Sequence, residues 1–330
     1  MMRKSIYQQY KKLMGSHSQS ANCYTVINVP FSKTHKLGVG IDDRPMFFIK
    51  SSITDNTPNI NLELITVQFN ELCRLKKDTE SKFVNENYYT VITLKSKQID
   101  YIEYFLDVVC IVLEKLGDFP SQQDLLNEIQ KLVELFRRFS RPPIKTIQGL
   151  WAELFVIEHS SNPSYLVKSW HTTTSDIFDF NDGTDKLEVK STSRINRVHR
   201  FSHNQLTPNE SSIVVIASLC VQQSGVGKTV LDLMDAIEPN LENAELRFQL
   251  ADMISKTLGS DFEKACEYYF DYALACDTYQ KYNCKDIPSL DNSSIPAEIS
   301  DIHYDCDLSK VTPLGVPSEI FPNSKLIKSL

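Results

Sequence analysis

The chain has 330 residues, 42% of them hydrophobic and 23% charged, with a formal net charge of −7. This is ordinary globular composition, with apolar material for one large core or two modest ones, and it excludes disordered and fibrous classes. The acidic balance also argues against nonspecific nucleic-acid binding by the chain as a whole.

The start, Met-Met-Arg-Lys-Ser-Ile-Tyr, is positive but has no apolar run behind it, so no secretory signal is expected. The first part reads as mixed β/α. Residues 23–29, 47–49, 60–69 and 88–94 are rich in β-branched and aromatic side chains and predict short strands between polar turns. Asp100 predicts the N-cap of a helix over 101–116 that Gly117 and Pro120 end. The apolar stretch within it is short and broken by Glu103, Asp107 and Glu114, which does not suit a membrane span. Ser121 predicts the cap of a second helix to about residue 140, with Leu125, Ile129, Leu132, Leu135 and Phe136 on one face. Arg141-Pro142-Pro143 then punctuates the chain. The domain boundary is placed there, with an N-terminal β/α region (1–141) suited to partner or DNA binding and a second domain (142–330) that ends in an acidic extension. A third helix is predicted over 146–159, followed by strands around 176–180, 186–191 and 213–221. The tail from Leu231 is helical at first, then irregular.

The eight cysteines (Cys23, Cys73, Cys110, Cys220, Cys266, Cys276, Cys284, Cys306) form no C-x-x-C and no His/Cys cluster. Reduced, mostly structural thiols in a cytoplasmic protein are the expectation. Charge is uneven along the chain. Between Lys186 and Leu206 lie Lys186, Lys190, Arg194, Arg197 and Arg200 against the single acid Glu188, with His199 and His203 interleaved. Such a stretch can steer a polyanion to one face, although a solvated loop is the plainer reading.

The chemistry gathers just before that stretch. Asn181-Asp182-Gly183-Thr184 is a turn signal between two strand-like runs. A turn centred between Gly183 and Thr184 pairs Asp179 with Glu188. Side chains alternate along a strand, so Glu188 and Lys190 share a face, which the directly opposite Asp179 joins. Two carboxylates and an amine then meet at one point, and a divalent cation would offset the repulsion between the carboxylates. Phosphodiester hydrolysis uses this kit: hard oxygen ligands for Mg²⁺, a metal-activated water, and an amine that orients water and neutralises phosphate. An acid-x-Lys tripeptide is cheap by chance, and Glu80-Ser81-Lys82 is a second one, but it lacks a preceding strand and aspartate turn. The helix Gln148-Gly-Leu-Trp-Ala-Glu-Leu-Phe-Val-Ile157 adds Glu153, which shares a face with Leu150, Leu154 and Ile157. A carboxylate in such company is paired, snorkelling or a ligand.

On these residues the chain resembles the prokaryotic PD-(D/E)XK motif protein family. The matching segments are Gly149-Leu-Trp-Ala-Glu153-Leu154, Asp179-Phe180, Glu188-Val-Lys190 and Gln205-Leu206, and the similarity extends to the C-terminal stretches at 287–290 and 302–308. The resemblance implies an α/β fold with a restriction-endonuclease-like core, a mixed central sheet flanked by helices, behind the N-terminal β/α region. It implies Asp179 and Glu188 as metal ligands, Glu153 as the helix carboxylate supporting the metal, and Lys190 as the water-activating lysine. The implied cofactor is Mg²⁺, with Mn²⁺ as a substitute, and the implied substrate is DNA. A restriction-modification or phage-defence setting, with other defence proteins as partners and a homodimer serving one strand per site, belongs to the same implication; a membrane does not. The family's second helix glycine is Ala152 here, and no proline precedes the aspartate. Asp176 is therefore the alternative ligand, with the register favouring Asp179.

Three further features read two ways. Gln205 can bind the scissile phosphate or a base edge, or lie on a helix surface. Arg194, Arg197 and Arg200 can contact phosphates or solvent. Ser224-Gly-Val-Gly-Lys-Thr229 resembles the end of a phosphate-binding loop, but Gln222 stands where the first glycine belongs, so a glycine-rich hairpin turn leading into a helix is expected instead. The rival to a metal-dependent DNA endonuclease is a non-catalytic binding or scaffold subunit that keeps the nuclease fold inside a defence complex.

Overall fold

The computed structural model describes residues 2–16, 22–40, 42–50, 57–77, 85–171, 176–208 and 211–330; Glu80-Ser81-Lys82 lies outside them. The chain divides into two compact units, Met1–Arg141 with Asn243–Ser255, and Pro142–Glu242 with Lys256–Leu330.

The first unit begins with helix α1 (Met2–Leu13), whose Ile6, Tyr10 and Leu13 recur at helical spacing and are buried. Six strands follow: β1 (Cys23–Asn28), β2 (Lys36–Val39), β3 (Pro45–Lys50), β4 (Ile60–Asn61), β5 (Ile65–Lys76) and β6 (Asn85–Leu94). They run in the order β1-β2-β3-β6-β5-β4, and β1 also pairs in parallel with the far end of β5. That pairing closes five of them into a barrel. A bulge between Gln68 and Glu71, with Asn70 at φ 54°, bends β5, so its first half pairs with β4 and its second half reaches β1. Strand β3 is buried on both faces. Phe48 packs with Tyr24 and Tyr89 inside the barrel, while Phe47 meets Phe105 of helix α2 (Ile99–Leu116). Helix α3 (Gln122–Arg137) joins α2 through a cluster of Tyr104, Phe105, Phe136 and Phe139.

The strand predicted over 60–69 is two, β4 and the longer β5, and two helix boundaries also differ from the sequence reading. The N-cap of α2 is Gln98, and Asp100 sits in the first turn, where its charge favours the helix dipole. Ser121 does cap α3 by accepting from the Asp124 amide, but α-helix ends at Arg137 and gives way to a 3₁₀ turn. Unit one also takes in most of helix α8 (Ala244–Leu258): Tyr104 Oη donates to the Ala251 carbonyl at 2.7 Å, and Arg138 pairs with Asp252.

In the second unit, helices α4 (Ile147–His159) and α5 (Pro163–Ser169) precede strands β7 (Phe180–Asn181), β8 (Lys186–Thr192) and β9 (Val198–Ser202). A short helix α6 (His203–Leu206), strand β10 (Val214–Cys220), strand β11 (Gln223–Ser224) and helix α7 (Val230–Ile237) come next. After α8, the chain adds α9 (Phe262–Glu267), β12 (Tyr269–Phe270), α10 (Tyr272–Thr278), β13 (Gln280–Asn283), β14 (His303–Asp307) and α11 (Pro317–Ile320). The central sheet is mixed, in the order β13-β10-β8-β7, with β8 and β10 parallel and both outer pairs antiparallel. Strand β10 is buried along its whole length, as expected for a strand covered on both faces. Helix α4 packs on β8 and α7, and it is buried almost all round because nine of its residues, Ile147 and Leu150 through Ile157, are inside. β9 pairs with β14 as a separate ribbon.

All eight cysteines are free thiols, and only Cys23 and Cys276 are not buried. No helix among the described residues is long and apolar enough to cross a membrane.

Candidate metal-dependent active site

The site is assembled from three local structures, each fixed by its own chemistry. The first is the N-terminal end of α4. Thr146 caps it by accepting from the Gly149 amide at 3.1 Å. Glu153, two turns in, is only 3% exposed. Burial there demands partners. Its Oε2 accepts from the Trp170 indole N–H at 2.6 Å, and its Oε1 accepts from Lys145 Nζ at 2.6 Å.

The second is the β7–β8 hairpin. Gly183 takes φ 92°, and Asp182 Oδ1 accepts from the amides of Thr184 and Asp185, which closes the turn. The ladder pairs Phe180 with Leu187 and Asn181 with Lys186, so one step further Asp179 stands opposite Glu188. Asp179 Oδ2 accepts from the Val189 amide at 2.9 Å, and its Oδ1 accepts from Lys145 Nζ at 2.5 Å. Asp176 is exposed at the surface, with His171 3.9 Å away.

The third is the β9–α6 corner, which supplies Gln205. Glu188 Oε1 accepts from Lys190 Nζ at 2.7 Å and from Gln205 Nε2 at 2.6 Å. The same amide group donates to the Ile177 carbonyl at 2.9 Å. Its Oε1 accepts from Lys190 Nζ and from the Ser202 amide, both at 3.1 Å. All four hydrogen-bonding positions of the Gln205 amide are therefore filled by protein. The glutamine ties the β8 pair Glu188 and Lys190 to the adjoining corner instead of presenting a free group. Lys190 Nζ also lies 5.0 Å from the centre of the Phe201 ring.

These elements bring Glu153, Asp179 and Glu188 to one cleft of about 590 Å³, with Lys145 among its walls. Burial raises the pKa of Glu153, and the Asp179 charge adds to the rise against the pull of Lys145. Burial and Asp179 raise Glu188 in the same way, against Lys190. Burial works against the charge of Lys145, yet Glu153 and Asp179 carry its pKa upward. Three carboxylates thus face two ammonium groups, and burial first, then the Asp179 charge, favours the protonated form of the two glutamates.

Among the described residues no group of three or more His, Cys, Asp or Glu side chains is arranged to hold a metal ion as it stands. The cation between Glu153 and Asp179 is the Lys145 ammonium. The donor chemistry nonetheless fits a hard divalent ion: three carboxylates line one cleft, and two of them, Glu153 and Asp179, already hold the Lys145 ammonium at 2.5–2.6 Å.

The basic stretch separates into different roles. Arg194 and Arg200 are exposed. Arg197 turns inward, its guanidinium bound to the Ser218 carbonyl and hydroxyl and to the Thr278 carbonyl. His199 is buried against Ser218 Oγ at 2.8 Å, and burial, with Lys190 and Arg197 nearby, lowers its pKa to about 4. The Ser224–Thr229 segment does not form the expected hairpin. β11 pairs with the distant β12, Lys228 bridges to Phe270, and Thr229 caps α7 in a capping box with Asp232. Lys228 Nζ is held by Glu158 at 3.2 Å and lies 3.4 Å from the centre of the Tyr272 ring, within the fold.

Sequence reasoning missed Lys145 and Trp170. Lys145 carried a weak signal, a lone cation just ahead of a helix cap and close in sequence to Glu153. Trp170 carried none, because its contact with Glu153 depends on how the segment after α5 returns to β7.

No curated protein and no solved structure matches the chain. The model of the family described as "Putative PD-(D/E)XK family member (DUF4420)" matches residues 7–309. That span includes all the cleft residues and the mixed sheet that carries them, so the α/β fold with a restriction-endonuclease-like core holds for this chain. The chain belongs to this nuclease-like PD-(D/E)XK family.

Proposed function

We propose that the protein is a divalent-metal-dependent nuclease that hydrolyses phosphodiester bonds in DNA, with Mg²⁺ as cofactor and Mn²⁺ as a substitute. The observation that carries this reading is the convergence of Glu153, Asp179 and Glu188 in one cleft, with Lys190 bonded to Glu188. Asp179 and Glu188 would hold the ion and Glu153 would support it from the helix. When bound, such an ion supplies a water of lowered pKa and charge stabilisation at the phosphorus.

The remaining work falls to the chain's own groups. The Lys190 ammonium, bonded to Glu188 at 2.7 Å, would orient the attacking water and offset charge on the phosphate. Gln205 fixes the Lys190 ammonium and the Glu188 carboxylate relative to each other through one amide. The Trp170 indole and the Val189 amide fix the orientation of Glu153 and Asp179. Arg194 and Arg200 are the exposed cations of the basic stretch and the proposed contacts to the DNA backbone. A restriction or phage-defence role is the biological setting we attach to this chemistry.

The test is incubation of purified protein with plasmid, linear and single-stranded DNA in Mg²⁺ or Mn²⁺, beside Lys190→Ala. Cleavage that needs the metal and disappears in Lys190→Ala, with the melting curve retained, is the expected result. Absence of cleavage with any metal, with unchanged capture of partner proteins by Lys190→Ala, would favour the scaffold reading.

A further inference from the structure

Lys145 has no role in the proposed hydrolysis, yet it bridges two of the three acids of the cleft. Its Nζ bridges Glu153 Oε1 at 2.6 Å and Asp179 Oδ1 at 2.5 Å, and its side chain is 26% exposed. It stands on an irregular stretch just before the Thr146 cap, anchored nearby by the Ile144 amide on the Thr257 carbonyl at 2.9 Å. A side chain on such a stretch can swing without unwinding α4. Asp179 is common to the Lys145 bridge and to the proposed ion site, and an ion that Glu153 also supports would need the place the ammonium fills between these two acids. The charge count favours exchange. With Lys145 in place and all three acids ionised, as metal ligation requires, three carboxylates meet two single positive charges. A divalent ion in its place, with Lys190 retained, brings the cluster to neutrality.

Resting on the metal-dependent reading above, we propose that Lys145 is a built-in cation that occupies the metal position and must be displaced for the site to load. It holds the buried carboxylates together in the metal-free protein and sets a threshold on metal binding. In this role Lys145 is a gating residue and takes no part in the chemical step.

The test measures metal binding instead of turnover. Mn²⁺ is titrated calorimetrically into full-length wild type, Lys145→Met and Lys145→Arg. Removal of a competing charge from within a few ångströms should tighten Mn²⁺ binding in Lys145→Met by on the order of tenfold or more, while Lys145→Arg stays near or below wild type. In parallel, wild type is labelled with an amine-reactive reagent with and without Mn²⁺, and the lysines are quantified by mass spectrometry. Lys145 should be protected without metal and become reactive with it, which keeps the test decisive if Lys145→Met folds poorly. Equal or weaker Mn²⁺ binding by folded Lys145→Met, or Lys145 labelling that ignores Mn²⁺ while wild type binds it, would overturn the gating role and leave the metal site standing. Failure of all three proteins to bind Mn²⁺ would instead overturn the metal site, and the gate with it.

Discussion

Replacement of Gln205 discriminates between the two things a glutamine at this place can do. Gln205→Leu keeps the side-chain size and removes four hydrogen bonds, two of them to the charged groups Glu188 and Lys190. A neutral bond contributes about 0.5–1.5 kcal/mol net and one to a charged group about 1.5–3 kcal/mol, but these four share one amide and overlap. The half-buried setting and the remaining Lys190–Glu188 pair soften the loss, so destabilisation of about 2–4 kcal/mol is expected. The functional effect follows from geometry. Glu188 and Lys190 lose their common tether, and loss of a group that orients metal ligands lowers metal affinity or activity by about 10–100-fold. Gln205→Glu should be worse than Gln205→Leu, because a carboxylate oxygen replaces the amide NH2 that donates to Glu188 Oε1 at 2.6 Å. The assay pairs thermal melts with Mn²⁺ titration and DNA binding in Ca²⁺. Expected are a lowered melting temperature, weakened Mn²⁺ binding and DNA affinity close to wild type. Normal Mn²⁺ binding with a specific loss of DNA affinity would refute the tether and restore the reading of Gln205 as a phosphate or base contact.

Other perturbations follow from the same contacts. Trp170→Phe leaves Glu153 Oε2 without its indole donor in a buried setting, and should lower stability by about 1–3 kcal/mol, read as a fall in melting temperature. Burial and the Asp179 charge hold the pKa values of Glu153 and Glu188 above the ordinary range, so the folded state binds more protons than the unfolded state between the unfolded and folded values. Stability of the metal-free protein should therefore fall as pH rises through that window, whereas Mn²⁺ affinity should rise across it; melts and titrations at stepped pH check both signs. Gly227→Ala should destabilise by more than about 2 kcal/mol, since φ is +146° and an added Cβ would lie 2.0 Å from the Phe270 carbonyl oxygen. Lys228→Ala should leave ATP binding absent, as in wild type, because Lys228 belongs to the Glu158–Tyr272 contact and not to a nucleotide loop.

What could be read from the chain was what local chemistry decides. The helix over 146–159, its apolar surface around Glu153 and the Asn181–Thr184 turn all depend on neighbours within a few residues, and the turn alone sets Asp179 opposite Glu188. Long-range closure was not legible. The barrel depends on β1 meeting β5 through a bulge at Asn70, and β2 is a four-residue strand around Gly38 with little signal of its own. The helix at Ala244–Leu258 gave no sign that most of it belongs with the first unit, because that depends on Tyr104, Arg138 and other residues a hundred or more positions away. In the cleft, the carboxylates carried a pattern but their partners did not. Gln205 read as an open group until four chain positions were seen to fill it, Arg197 read as a surface cation although it turns inward, and Lys145 had no motif to mark it.

The most direct test of the central claim is anomalous scattering from crystals of wild-type protein soaked in Mn²⁺. A manganese peak bound by the Asp179 and Glu188 carboxylates, with Glu153 beside it and Lys145 moved aside, is the predicted result. A cleft without manganese at saturating concentration, or manganese bound only elsewhere while Lys145 still bridges Glu153 and Asp179, would contradict it.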